Sequence, residues 1–186
     1  MNKPIYKHPN FIIEKKYQRI DNKRFWLELT INKKHSKNII VIMKNPSRAT
    51  LEVSDKTVSN VCNYIVLNKN NRDELKDIGK IIILKLIPFY ETYSKELICL
   101  KEQIIDQENL EVIKKITSRD RTVIIAWGNH PSKLYKEYEI IKQKVLRILE
   151  VNKNEVYYVD KLSNAGNPKH GQIWGYFDKL KKINKL

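Results

Sequence analysis

Short apolar runs alternate with amphipathic stretches along the chain, and that alternation predicts its elements. Residues 24–31, R-F-W-L-E-L-T-I, form a β-type run, and a polar turn over 32–37 separates them from a second run at 38–43. The pair reads as a hairpin or as two adjacent strands. Ile39-Ile40-Val41-Ile42-Met43 shows no polar alternation, the pattern of a strand covered on both faces of a parallel sheet. A helix is predicted to open at Ser54 or Asp55, with Val58, Val61, Cys62 and Ile65 at three- and four-residue spacing. Ile81-Ile82-Ile83-Leu84 predicts a second buried strand, ended by Pro88. Residues 89–106 carry no clear period, 107–117 read as helix, and 122–127 predict a third buried strand closing at Gly128. From Ser132 a long amphipathic helix follows, with Leu134, Tyr138, Ile141, Val145 and Ile148 on one face. Residues 156–159 predict a fourth strand, and a loop over 160–172 leads to a last helix carrying Ile173, Trp174, Phe177 and Leu180.

Strands alternating with helices imply a three-layer α/β/α sandwich around a central, mainly parallel four-stranded sheet. Residues 1–23 are polar and broken by Pro4 and Pro9, so they read as an N-terminal arm before one domain over 24–186. Ligands of such sheets bind beyond the carboxyl ends of the strands, which places the crevice at 44–50, 85–92, 128–132 and 160–172.

Charge and composition narrow the class. The chain has 36 Lys and Arg against 21 Asp and Glu, a net charge of +15 spread along its length. A folded domain with a basic face attracts polyanions, although an Ile-, Asn- and Lys-rich composition alone raises basicity. No run approaches the roughly 20 apolar residues of a membrane span. The start lacks the apolar stretch of a signal peptide, so a cytoplasmic location is expected. Cys62 and Cys99 lie in apolar runs without C-x-x-C spacing and read as buried free thiols.

Three strand ends carry candidate chemistry. Asn45-Pro46-Ser47 follows directly on a buried strand; Pro46 steers Asn45 out of the α region and fixes where its side chain leaves. An Asn there can hold a water through its amide oxygen, although N-P-S is also ordinary turn chemistry. Gly166-Asn167-Pro168-Lys169-His170-Gly171 repeats the design after the fourth strand, with a capped loop as the plain alternative. Ala126-Trp127-Gly128-Asn129-His130-Pro131 ends the third strand; Trp127 reads as core and His130 as a loop residue. No phosphate-cradling or zinc-protease motif occurs, and four His with two Cys make a dedicated metal cage improbable. Neither a metal nor another cofactor is expected. Asp160 is the one clear carboxylate at a strand end.

In order, the R-F-W run, I-M-K-N-P-S-R-A, D-K-T, I-I-I-L-K-L, A-W-G-N-H and G-N-P-K-H resemble a bacterial and phage family known as a domain of unknown function. The resemblance spans about residues 24–177. That family in turn resembles the uracil-DNA glycosylase superfamily, whose first motif follows a strand and whose last precedes the final helix. The resemblance implies hydrolysis of the N-glycosidic bond of uracil, or of a related deaminated or mismatched base, in DNA after base flipping. The implied enzyme is a monofunctional glycosylase of base excision repair. Asn45 would position the attacking water, and His170 or Asn167 would hydrogen-bond the charge developing on the base. Lys44, Pro46, Ser47, Lys85 and an aromatic, Tyr64, Phe89 or Tyr90, would line the base pocket. Arg48, Lys169, Gln172 and Ile173 would meet the DNA, the last two as a wedge into the gap left by the flipped base. The implied partner is uracil-containing DNA, single- or double-stranded, met by a monomer; a protein inhibitor is a conceivable second partner.

The chain departs from that pattern at instructive places. Lys85 stands where the superfamily reads the base with an Asn, and a lysine only donates. Ser47 stands where a bulky Tyr excludes the thymine methyl. Asn167, not His170, holds the place directly before the proline. A non-catalytic DNA-binding module on the same fold is therefore the alternative. A hydrolase of free nucleotides is a weaker one, since the charge favours a longer polyanion.

Overall fold

The structure is a computed structural model that describes residues 6–46, 49–90, 96–120, 122–131 and 133–185. Seven strands form one mixed sheet: β1 (Glu14–Ile20), β2 (Lys23–Thr30), β3 (Lys37–Met43), β4 (Ile78–Lys85), β5 (Thr122–Ile125), β6 (Glu155–Val159) and β7 (Leu180–Lys182). Their order across the sheet is β1-β2-β4-β3-β5-β6-β7. Among the described residues three helices join them, α1 (Lys56–Asn68), α2 (Gln107–Thr117) and α3 (Tyr135–Val151), with short 3-10 turns between. No helix among the described residues is long and apolar enough to cross a membrane.

The expectation of a mainly parallel four-stranded sheet is overturned. β3 pairs in parallel with β4 and β5, and β5 with β6, whereas β1–β2, β2–β4 and β6–β7 are antiparallel. The expected hairpin between 24–31 and 38–43 does not form either. β4 lies between β2 and β3, with Trp26 opposite Leu84 on one side and Ile42 opposite Leu84 on the other. Two strands escaped the sequence reading because they are edges. In β1, E-K-K-Y-Q-R-I, most positions are exposed, and β7 is only L-K-K. Charged, short edges are how sheets avoid pairing with one another, so an edge strand carries little of the apolar signal. β1 comes from the segment read as an arm.

Side chains alternate across the inner strands and define two cores. Ile39, Val41, Met43, Ile81, Ile83 and Ile124 face α1, which contributes Val58, Val61, Cys62, Tyr64 and Ile65. Ile40, Ile42, Ile82, Leu84, Val123 and Ile125 face α2 and α3, which contribute Leu110, Ile113, Tyr138, Ile141, Val145 and Leu149. Burial on both faces explains why β3 and β4 read as unbroken apolar runs. Helix starts follow local chemistry: the Asp55 and Asp106 carboxylates accept from the Val58 and Asn109 N–H groups, each at 2.7 Å.

The predicted last helix is absent. Residues Gly171–Ile173 make a single 3-10 turn, and the Gly175 N–H donates to the Asp178 carboxylate at 2.7 Å in a tight turn before β7. Trp174 alone of the expected apolar face is buried; Ile173 is 63% and Phe177 96% exposed. Cys62 is buried and free, and burial pushes its thiol pKa up. Cys99 is also free, but exposed, which corrects the expectation for it.

Candidate functional site

The carboxyl ends of β3, β4 and β5 lie side by side, and the loops leaving them are held by backbone bonds beyond the strands. The Leu86 and Ile87 N–H groups donate to the Met43 and Lys44 carbonyls at 2.8 and 2.9 Å, and Ala126 N–H donates to the Ile42 carbonyl at 2.8 Å. Met43 and Lys85 are register partners, so the Asn45 turn begins beside Lys85. Asn45 is half-buried, and its Nδ2 donates to the Pro46 carbonyl at 3.0 Å. Pro46 is buried. Ser47 and Arg48 lie outside the described residues.

Lys85 is 2% exposed, with Nζ 3.8 Å from the Met43 sulfur. Desolvation, reinforced by the charge of Arg24 and opposed by Asp55, lowers its pKa to about 7. Lys44 projects toward α3, its Nζ 6.0 Å from the centre of the Tyr138 ring, and burial lowers its pKa as well. Arg24, 2% exposed, donates from Nη1 to the Ala49 carbonyl. Sequence reasoning missed Arg24, because an arginine opening an apolar strand reads as a surface residue.

The loop after β6 closes onto this group. Gly128, three residues beyond β5, has φ +68°, and a Cβ there would come within 2.9 Å of the His170 Cβ. A Cβ on Gly171 would stand 2.6 Å from Val61 Cγ2, and Asn60 Nδ2 donates to the Gly171 carbonyl at 2.8 Å. Glycines at these two positions thus let the His170 loop seat between β5 and α1. The His170 pKa falls to about 4, chiefly through desolvation and then through the charges of Lys44 and Lys85. Its Nδ1 accepts from the Gln172 N–H at 3.3 Å. The ring is therefore neutral near pH 7, with its proton on Nε2. An open cleft of about 390 Å³ adjoins it, lined by Gly128, Asn129, Asp160, Pro168, His170 and Ile173.

Lys44, Lys85 and His170 thus come together beside Asn45, and several other candidates do not join them. Asn167 is buried, but its Oδ1 accepts from Lys142 on α3 and its Nδ2 donates to Asn129 at 3.2 Å. It anchors the loop, leaving His170 to face the cationic group. Tyr64 packs edge-on against Trp174 at 5.1 Å and donates to the Asp178 carbonyl, so it belongs to the core. Phe89 is buried in the opposite core, with Lys23 5.7 Å from its ring centre. Tyr90 is half-buried, with the Arg19 guanidinium 5.4 Å from its ring centre. Lys169 is held between Asp160 and Asp178 at 3.0 and 2.7 Å. Gln172 and Ile173 are exposed beside the cleft. His130 stacks edge-on against Tyr135 at 5.3 Å, and Trp127 is buried in the core.

No curated protein and no solved structure matches the chain. Residues 24–171, from Arg24 through the glycine after His170, match a family described as a protein of unknown function, and with most of its length covered the chain belongs to that family, DUF1643.

Proposed function

We propose that the protein is a monofunctional DNA glycosylase that hydrolyses the N-glycosidic bond of uracil, or of a related deaminated or mismatched base, after base flipping. The observation that carries this reading is the meeting of a neutral His170 with Lys44 and Lys85 beside the Asn45 turn. Cleavage of the bond leaves negative charge on the departing base. The Nε2–H of His170 would donate to that charge without first losing a proton, and the two lysines would lower its energy through space. Asn45 would hold the attacking water through its amide oxygen; as an amide it orients the water and does not deprotonate it strongly. Ile173 and Gln172, exposed beside the cleft, are suited to fill the gap left in the stack. The resemblance of the two Asn-Pro turns to the superfamily's motifs supports the same assignment.

The test is an oligonucleotide with one uracil, incubated with excess protein and then with alkali. Strand cleavage is expected, reduced at least a hundredfold in Asn45→Ala and in His170→Ala, on the order of what a lost electrostatic donor costs. Absence of cleavage at uracil, hypoxanthine and mismatched thymine overturns the proposal. A second reading, a binding module without catalysis, is favoured by the bond from Asn45 Nδ2 to its own turn. It requires salt-sensitive DNA binding that Asn45→Ala leaves intact.

A further inference from the structure

Arg24 presents an unmet demand inside the fold. Its Nη1 is used by the Ala49 carbonyl, while Nε and Nη2, buried from solvent, have no hydrogen-bond partner among the described residues. These two N–H groups are the side-on fork of the guanidinium, which matches two oxygens of one oxyanion. A buried charge is ordinarily paired, because removal from water is otherwise uncompensated. Here the neighbours do not supply the pair. Lys85 adds a second positive charge, and Asp55 attracts Arg24 through space while its carboxylate caps α1. Lys44 and Lys85 also act on His170. Among the described residues, Arg24 and Lys85 thus act on one another, Lys44 and Lys85 act on His170, and Asp55 is the acidic group felt by Arg24, Lys85 and His170.

We propose that the Arg24 fork is the receptor for a phosphate group carried by the substrate. A phosphate fits better than a carboxylate on two counts. Its oxygens can take the fork while others face Lys85, and its charge answers more of the local excess. The Nη1 bond to Ala49 ties the fork to the segment that follows the Asn45 turn. Phosphate capture would therefore set that turn relative to β4. The phosphate can be the terminal group of a mononucleotide or an internal diester of a strand. The proposal rests on the glycosylase reading only in taking a nucleotide unit as the carrier.

The experiment is calorimetric titration of the full chain with inorganic phosphate, deoxyuridine 5′-monophosphate, and a single-stranded oligonucleotide with hydroxyl ends. Saturable binding of inorganic phosphate is expected, weakened at least tenfold in Arg24→Lys, which keeps the charge and loses the fork, and further in Arg24→Gln. Tighter binding of the mononucleotide assigns a terminal phosphate, and tighter binding of the oligonucleotide assigns a diester. Since Arg24 also bonds Ala49, its variants require a check that needs no substitution. The Arg24 Nε–H resonance of the natural chain should shift downfield on adding phosphate and stay put on adding chloride at equal ionic strength. Binding unchanged in both variants, or an unmoved Nε–H resonance, overturns the proposal. Base release separates the two readings. Protein that binds phosphate through Arg24 but releases no base loses the glycosylase reading alone. Protein that releases base with phosphate binding indifferent to Arg24 loses this one alone.

Discussion

Lys85 ends β4 with its ammonium group against a sulfur instead of a carboxylate, and the fold is less stable for it. In the unfolded chain this lysine titrates near 10.5, and in the fold at about 7. As pH falls through that window the unfolded state takes up a proton that the folded state does not, so stability is lost. Below about pH 7 both states are protonated, and the penalty is constant. Lys85→Met keeps length and apolar contact while removing the charge. Its unfolding free energy from urea titration should exceed that of the natural protein at about pH 7, by on the order of a few kcal/mol. The advantage should shrink toward about pH 10; a variant less stable at neutral pH would show the ammonium to be well paired. The same substitution should weaken phosphate binding, the exchange expected of a residue retained for binding at the cost of stability. The sequence marked Lys85 as out of pattern. It gave no sign of the enclosure, because Met43 and Arg24, which neighbour Lys85 in the fold, lie distant from it in the chain.

At the scale of elements, the inner strands were legible and their neighbours were not. Unbroken Ile and Val runs announce strands covered on both faces, and D-K-T at 55–57 announces the α1 cap. Polar β1 and three-residue β7 offer no such pattern, and the 173–180 spacing mimicked a helix that the Gly175–Asp178 turn interrupts. The convergence of the Asn45 and His170 loops depends on two contacts no sequence window contains, Gly128 against His170 and Gly171 against Val61. Comparing two glycines isolates the first. Gly166 has φ +71° with nothing within 4 Å of a Cβ, so Gly166→Ala should lose about 1 kcal/mol, the cost of a left-handed backbone alone. Gly128→Ala meets the same cost at φ +68° and the His170 Cβ besides, so it should lose roughly 2–3 kcal/mol. Chemical denaturation measures both. Base release should fall in Gly128→Ala only; equal behaviour of the two variants would show that His170 is not seated by Gly128.

Across the whole molecule the net charge is +15, and part of the basic surface is engaged within the fold. Lys80 pairs with Glu28 at 3.0 Å, Lys182 with Glu155 at 2.5 Å, and Lys169 with two aspartates. Exposed pairs of this kind contribute little to stability, but each lowers the charge offered to a polyanion. A duplex held by about six phosphate contacts loses roughly a thousandfold in affinity between about 50 and 200 mM salt, because bound counterions are released. A glycosylase that flips a base from DNA should show that dependence on uracil-free duplex, measured by fluorescence anisotropy. Arg24→Gln, which removes the charge, should leave the slope intact if the fork takes a terminal phosphate, and lower it by about one contact if the fork takes a diester of the strand. A loss of less than about tenfold would confine binding to one or two phosphates, too few for a duplex footprint. The buried Arg24 fork would then account for most of the electrostatic binding, and a mononucleotide would be the better substrate for the same chemistry.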